Sequence, residues 1–305
     1  MKYRSLFDRK GLSLDRLAAF CEVAETGSIV AATGGDPTRQ ALVSRQISEL
    51  ESFFEVSLVE RQGRGLILTE AGRELAFLIR EHLRGLEEFA SSQKGTSWTV
   101  RVLASNSIGQ WLILPRLAKL HQEWPELRMQ LQHEQTREMI RQVQEGIFDL
   151  AVVRKEGSPL TGLESAPLGN LTYSLFIPKS LSKSLPSRCR LPRALTSLPL
   201  ALPVGGSMRQ RIEQIAAQEK KPLTVLLECS SYMQAAEALR SGPCAAILPD
   251  MAISEPEQSH YQRIPLSENI PISLIWKKRS AERNPRLAQL IKSLTSLWKI
   301  GESNV

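Results

Sequence analysis

Residues 39–54 carry Val43, Ile47, Leu50 and Phe54 at spacings of four, three and four, which places them on one stripe of a helix buried on that side. At about 100° per residue the opposite face holds Ala41, Arg45, Ser48 and Ser52, with Gln40 and Ser44 toward one flank. Ahead of it, Ser13 can cap a segment with apolar Leu14, Leu17, Phe20 and Ala24, and Ser28 can cap another across residues 29–32, so two short helices precede it. Behind it, residues 56–59 and 66–68 are short β-prone runs. They are joined by Glu60-Arg61-Gln62-Gly63-Arg64-Gly65, which predicts a hairpin turned on glycine. Thr69 then caps a long helix whose stripe runs through Leu75, Ile79, Leu83, Leu86 and Ala90 to about Ser92. Residues 91–97 have no apolar anchor and predict a hinge.

From Trp98 the pattern alternates between strand and helix. Strands are predicted at 98–104, 127–132 and 148–153, with helices at 109–123, stopped before Pro125, and 138–145. Residues 171–177 cross into a second lobe, where 198–203, 208–217, 223–228, 233–240 and 245–248 repeat the alternation. Residues 272–276 return as a strand, and Pro285 opens a terminal helix through Trp298. The expected fold is multi-domain α/β: a winged helix-turn-helix at 12–69, a linker or dimerisation helix at 70–92, a hinge at 93–97 and a two-lobed, periplasmic-binding-protein-like domain at 98–300. Lobe I takes about 98–173 and 270–300, and lobe II about 174–269.

A small, polar helix face with one long cation suits the major groove, where Gln and Arg pair with base edges and small residues let the backbone approach. The competing reading is an ordinary solvated helix face. Arg61 and Arg64 on the hairpin can reach the minor groove or phosphate, against the reading of a solvated turn. The run Leu17, Phe20, Gly27-Ser28, Ala31-Ala32, Val43-Ser44-Arg45-Gln46-Ile47, Leu50-Glu51, Leu58, Arg61, Arg64 and Leu68-Thr69-Glu70-Ala71-Gly72 resembles the winged helix-turn-helix signature of LysR-type transcriptional regulators. The resemblance implies a DNA-reading set of Thr38, Arg39, Gln40, Ser44, Arg45, Ser48, Arg61 and Arg64. The turn at residues 33–38 is one residue longer than the family's and Ala41 stands where proline is common, which leaves the register of Thr38 and Arg39 open.

Leu114-Pro115, Trp124-Pro125, residues 145–151 and Ala245-Ala246-Ile247-Leu248-Pro249 are similar to that family's effector-domain landmarks, so the likeness covers nearly the whole chain. It implies that Leu75, Ile79, Leu83 and Leu86 pair two subunits, where packing within the same chain is the alternative. The implied partners are double-stranded promoter DNA, a small-molecule effector, a second copy in a homodimer or homotetramer, and RNA polymerase.

In such sheets ligands bind beyond the carboxyl ends of strands, where helix starts favour anions. The loops there hold Ser105, Asn106 and Ser107, then Thr136, Arg154, Ser207, Arg209 and Ser230. Each hydroxyl either caps its helix or joins an effector site, with Ser105, Ser107, Thr136 and Ser207 the leading candidates. Arg154 and Arg209 can pair the carboxylate of a small organic anion, or either can equally be a solvated charge.

Net charge adds little to the DNA case. The chain carries +7, yet residues 1–95 hold 13 Lys and Arg against 14 Asp and Glu, a net of −1. Placement of Arg39, Arg45, Arg61 and Arg64 must carry it instead. Cys21, Cys189, Cys229 and Cys244 show no paired metal-ligand spacing and read as free thiols in a reducing compartment, with a redox pair as the minor alternative. The four histidines are scattered, and no nucleophile or phosphate-loop motif appears, so no enzyme, metal or cofactor is expected. Residues 1–11 lack an apolar secretory core and no run reaches membrane length, so a cytoplasmic protein is expected. Two other readings stay open: a two-lobed solute-binding module or enzyme whose amino-terminal helices only dimerise, and a regulator without a ligand.

Overall fold

The first helices start and stop where their caps dictate. The computed structural model describes residues 6, 10–62, 65–93, 98–154, 160–186 and 189–301. Arg64 and hinge residues 94–97 lie outside them. Helix α1 (Leu14–Thr26) is opened by Ser13, whose hydroxyl accepts from the Arg16 N–H at 3.3 Å, and closed by Gly27 at φ 64°, a left-handed turn that glycine adopts without penalty. Ser28 opens α2 (Ile29–Ala32) in the same way.

Helix α3 (Pro37–Phe54) begins two residues before its apolar stripe suggests. Asp36 causes this, because its carboxylate accepts from the amides of Thr38 at 2.8 Å and Arg39 at 3.4 Å, and Pro37 sits in the first turn, where no N–H is needed. The lengthened turn before it reverses on Gly34 and Gly35, both at positive φ, while buried Thr33 returns its hydroxyl to the Ile29 carbonyl at 2.8 Å. Phe20, Val23, Val43, Ile47, Leu50 and Leu58 form the core. Phe53 takes the buried place at the helix end and Phe54 packs at the margin, since positions three and four beyond Leu50 both lie on the buried side.

The wing is β1 (Val59–Gln62) against β2 (Gly65–Leu68), antiparallel from Val59↔Leu68 to Gln62↔Gly65. Its first strand starts at Val59 and not at residue 56, because the Glu51 side chain accepts from the amides of Leu58 at 2.8 Å and Val59 at 3.3 Å and ties the chain to α3. Helix α4 (Glu70–Gln93) is capped by Thr69, which accepts from the Gly72 N–H at 2.9 Å and donates to the Ser57 carbonyl at 2.7 Å. Backbone meets backbone at Gly72: a Cβ there would lie 2.0 Å from the Leu58 carbonyl oxygen.

Leu75, Ile79 and Leu83 do not form a stripe free for a second subunit. Ile79 is 4% exposed inside this unit's own core, and Leu75 and Leu83 pack against that core. The reason is geometric: α4 starts within the domain and runs along α1 before it emerges. Among the described side chains of α4, Leu86 and Phe89, 56% and 65% exposed, are the large apolar ones left on the surface.

By contacts the chain divides into residues 1–100 with 141–149, and residues 101–140 with 150–305. In the first unit, Arg80 donates to the Glu145 carbonyl at 2.7 Å and Glu25 at 3.3 Å, and Arg84 to the Asp149 carboxylate and the Gly146 carbonyl. Gly146, at φ 69°, lies so close to Phe77 that a Cβ would come within 2.7 Å of the ring.

β3 (Trp98–Ala104), β4 (Leu127–Gln132) and β5 (Leu150–Arg154) make one half of a sheet; β7 (Pro199–Pro203), β8 (Thr224–Cys229) and β9 (Ala245–Pro249) make the other. Through both run β6 (Leu163–Pro178) and β10 (Tyr261–Lys277), antiparallel to each other, and the strand order is β4-β3-β5-β10-β6-β9-β7-β8. These two strands far exceed the crossings expected at 171–177 and 272–276, because polar residues on their exposed positions interrupt the apolar run. The helices are α5 (Asn106–Ile108), α6 (Leu117–Glu123), α7 (Thr136–Gln144), α8 (Lys179–Ser182), α9 (Leu191–Ser197), α10 (Ser207–Ala216), α11 (Tyr232–Ser241), α12 (Glu255–Gln258), α13 (Lys278–Arg283) and α14 (Pro285–Leu297). The single helix expected at 109–123 is instead a π turn at Gly109–Ile113 and a 3-10 turn at Leu114–Arg116 leading into α6, since Pro115 has no amide to give the ladder.

Gly72→Ala should destabilise the amino-terminal unit by about 3 kcal/mol, the upper end of overpacking costs. Gly85→Ala, on the same helix with nothing within 4 Å of the added carbon, should instead stabilise it by about 0.5–1 kcal/mol. Urea denaturation followed by circular dichroism measures both, and equal effects would contradict the backbone contact.

Candidate nucleic-acid interface and effector cleft

The capped start of α3 presents Thr38 and Arg39 to solvent, followed by exposed Ala41, Ser44, Arg45, Ser48 and Ser52 and half-buried Gln40. Arg45, 76% exposed, donates to Glu49 at 3.0 Å, and the other oxygen of Glu49 takes the Arg16 guanidinium at 2.5 Å. Arg16 first, and then Arg45, hold the Glu49 carboxyl below its ordinary range. The reading candidate is therefore oriented along its helix by an exposed ion pair of the weak kind, which a base edge can displace. Arg61 is exposed on β1, opposite Leu66. Arg64 lies outside the described residues. Sequence reasoning passed over Leu42, which is 55% exposed. Its signal was present, since it is the apolar residue the buried stripe leaves out, and an exposed apolar side chain here suits a thymine methyl.

At the carboxyl end of β3, Ser105 caps α5 by accepting from the Ile108 amide at 3.4 Å, and its hydroxyl lies 3.3 Å from that of buried Ser107. Asn106 is exposed. The α5 turn touches α11, so this end of lobe I meets lobe II. Trp111 strengthens that meeting by packing on the lobe II cluster that contains Cys229, Ala235 and Leu239. The first residue of α11 is Tyr232, whose ring centroid is 5.8 Å from that of Tyr173. Burial foremost, then the neighbouring Tyr173, pushes the Tyr232 phenol far above its ordinary range, and the nearby Arg154 opposes them. Ser105, Ser107, Arg154, Tyr173, Tyr232 and Trp111 thus bracket the junction of the lobes. Neither tyrosine nor the tryptophan was expected, because only the tertiary fold brings β6 and α11 to the end of β5.

The remaining candidates divide. Thr136 and Ser207 are the first residues of α7 and α10, and among the described residues their hydroxyls make no hydrogen bond. Arg209 is not a free cation for a ligand carboxylate: it donates to Glu213 at 2.7 Å, to Glu228 at 3.1 Å and to the Pro203 carbonyl at 3.2 Å. Ser230 is spent as well, with both its amide and its hydroxyl on the Gln234 side chain. All four cysteines are free, and burial is the leading cause that raises every thiol, Cys21 to about 11. No reactive thiolate is prepared.

Among the described residues no helix is long and apolar enough to cross a membrane. Residues 14–73 match the model of bacterial regulatory helix-turn-helix proteins of the lysR family, and residues 93–299 match the LysR substrate binding domain. A probable RuBisCO transcriptional regulator from Synechocystis sp. is 27% identical over 278 residues, covering 85% of this chain and 78% of that protein. The HTH-type transcriptional regulator BbuR from Bordetella bronchiseptica is 29% identical over 256 residues, 81% of this chain and 77% of that protein. The crystal structure of ArgP from Mycobacterium tuberculosis shares the fold, with a TM-score of 0.66 at 20% identity over 94% of this chain and 98% of that one. Capped helix α3, wing, long helix and two-lobed sheet follow one another in the order of these two domain models, and the chain belongs to the LysR family of helix-turn-helix transcriptional regulators.

Proposed function

We propose that α3 reads promoter DNA through Arg45, with Gln40, Ser44 and Ser48 beside it and Thr38, Arg39, Arg61 and Arg64 on the flanking backbone, and that a small organic anion in the inter-lobe cleft changes how paired subunits hold that DNA. The observation that carries the reading is the α3 face itself: small, polar and open, with Arg45 the long cation at its centre and a rigid cap at its start. Ser105, Ser107, Thr136 and Ser207 are the proposed effector hydroxyls, with Arg154 as the cation now that Arg209 is neutralised. The site of action is the bacterial cytoplasm, where the chromosome is, and the relatives are named as transcriptional regulators.

Two covalent joints offer the route of coupling. Residues 141–149 count with the amino-terminal unit, whereas Ile140 and Leu150 on either side count with the second. The gripped segment continues backward through α7 to Thr136 and forward through β5 to Arg154. An effector that reorders either end biases the state that Arg80 and Arg84 hold. Self-association rests on the exposed Leu86 and Phe89 of α4.

Selection of bound fragments from the source genome tests the reading directly, and the neighbouring genes indicate candidate effectors. On a selected site, Arg45→Ala should weaken binding by about 1–3 kcal/mol and relax base preference. Arg61→Ala should weaken it evenly across sequences and lower the salt slope by about one. If both variants titrate like the parent, α3 is not the reader.

Ser107→Ala and Thr136→Ala should remove the effector's influence on DNA binding and leave basal affinity intact; a full response from both would move the site elsewhere. Leu86→Glu combined with Phe89→Glu should lower the mass seen by light scattering at micromolar concentration with circular dichroism unchanged. Ile79→Glu should unfold the amino-terminal unit instead, because it would bury a charge in that unit's core. A parent that is already monomeric would overturn the assignment of this helix.

A further inference from the structure

Lobe I has a second concavity, of about 690 Å³, lined by none of the residues assigned to the cleft. Its walls differ in chemistry. Helix α14 buries Leu287, Leu290, Ile291, Leu294 and Leu297 in the lobe. The adjacent face, Ala288, Lys292, Thr295 and Lys299 at spacings of four, three and four, borders the groove. The opposite wall is apolar, with Ala166 and Pro167 from β6, Trp276 from β10 and Ala281 from α13. Three alanines leave the space between these walls unfilled.

The carboxylate in the groove is already answered. Glu164 accepts the Trp276 indole N–H at 3.0 Å, which also fixes the ring, and its other oxygen lies 3.9 Å from the Lys278 ammonium. The Lys292 ammonium, on the exposed side of α14, makes no ion pair among the described residues. A solvated helix face would account for lysine and threonine at these positions, but not for an apolar, alanine-walled hollow facing them. The volume falls within the range of small-molecule sites, about 300–1,000 Å³. Lys292 is the ammonium left to a ligand, because the Thr295 hydroxyl is already donated to the Ile291 carbonyl at 2.7 Å and Lys299 has a partner of its own; a single such donor suits a monoanion, whereas a phosphate draws on several.

We propose that this groove is a second ligand site, separate from the inter-lobe cleft, for an amphipathic organic carboxylate. The apolar body lies on Trp276 and the alanines, and the carboxylate meets Lys292. No step of the proposed effector response is needed for this, so either site can fail without the other.

Calorimetric titration of the full chain with 1-naphthoate, and with uncharged 1-naphthalenemethanol as its neutral counterpart, tests the site. The parent should bind 1-naphthoate saturably. Lys292→Glu, on the exposed surface, should weaken 1-naphthoate at least tenfold and leave 1-naphthalenemethanol unchanged. Ala288→Phe, which fills the groove, should abolish both with circular dichroism and light-scattering mass as in the parent, and Ser107→Ala should bind 1-naphthoate like the parent. The proposal is overturned by a parent that shows no saturable binding, by binding that survives Ala288→Phe, by loss in Ser107→Ala, which would place the probe in the cleft, or by a change of mass in Ala288→Phe, which would make the groove a subunit contact.

Discussion

Both lobes of the second unit hang on one pair of strands. β10 pairs through residues 272–276 with β5 and β6 pairs through residues 173–176 with β9, while the two bond to each other from end to end. Neither half-sheet has a centre without this ribbon, so each lobe's order depends on hydrogen bonds that continue into the other. Relative motion of the lobes is therefore a twist of paired strands, and the places that yield are the register shifts between Pro265 and Asn269 and between Ile272 and Ser273. A ligand beside Ser105 and Tyr232 sits at the lobes' junction, where a small change of twist is felt on both walls.

The amino-terminal unit obeys a different constraint, the closeness of α4 to the wing. Only glycine allows the backbone of α4 to lie on Leu58 at residue 72, and Thr69 and Glu51 then tie residues 57–59 from two sides. Wing and reading helix are thereby held as one piece, which is what simultaneous contact with two grooves requires. The residues proposed to meet DNA are carried on this support, and few of them have a part in its stability.

Where a signal was local, it was legible. Ser13, Ser28 and Thr69 cap the helices that the pattern assigns to them, and the Val43, Ile47, Leu50 stripe is buried. The Asp36-Pro37 start was equally local, but the apolar period begins later and masked it. Other features depend on partners distant in the chain. Ile79 reads as a subunit contact until α1 is folded against it, and Arg209 reads as a ligand cation until Glu228, nineteen residues away, arrives beside it. Tyr173 and Tyr232 carry no pattern that announces a cleft, and only their meeting at the lobe junction does so. The length of β6 and β10 was hidden for a related reason, since a ribbon half in water mixes polar with apolar positions and loses the continuous run that marks a buried strand.

Glu49, held between Arg16 and Arg45, gives the reading helix an unusual economy of charge. The charge of Arg45 is partly compensated there, and residues 1–95 that bear it are themselves net negative. Sequence-independent attraction to DNA grows with the number of phosphates neutralised, so a surface of this kind spends little time on arbitrary sites among the very many a genome offers. Occupancy then follows discrimination at the base edges more than total affinity. Such a regulator can be present in few copies and still be found mainly at its own promoters.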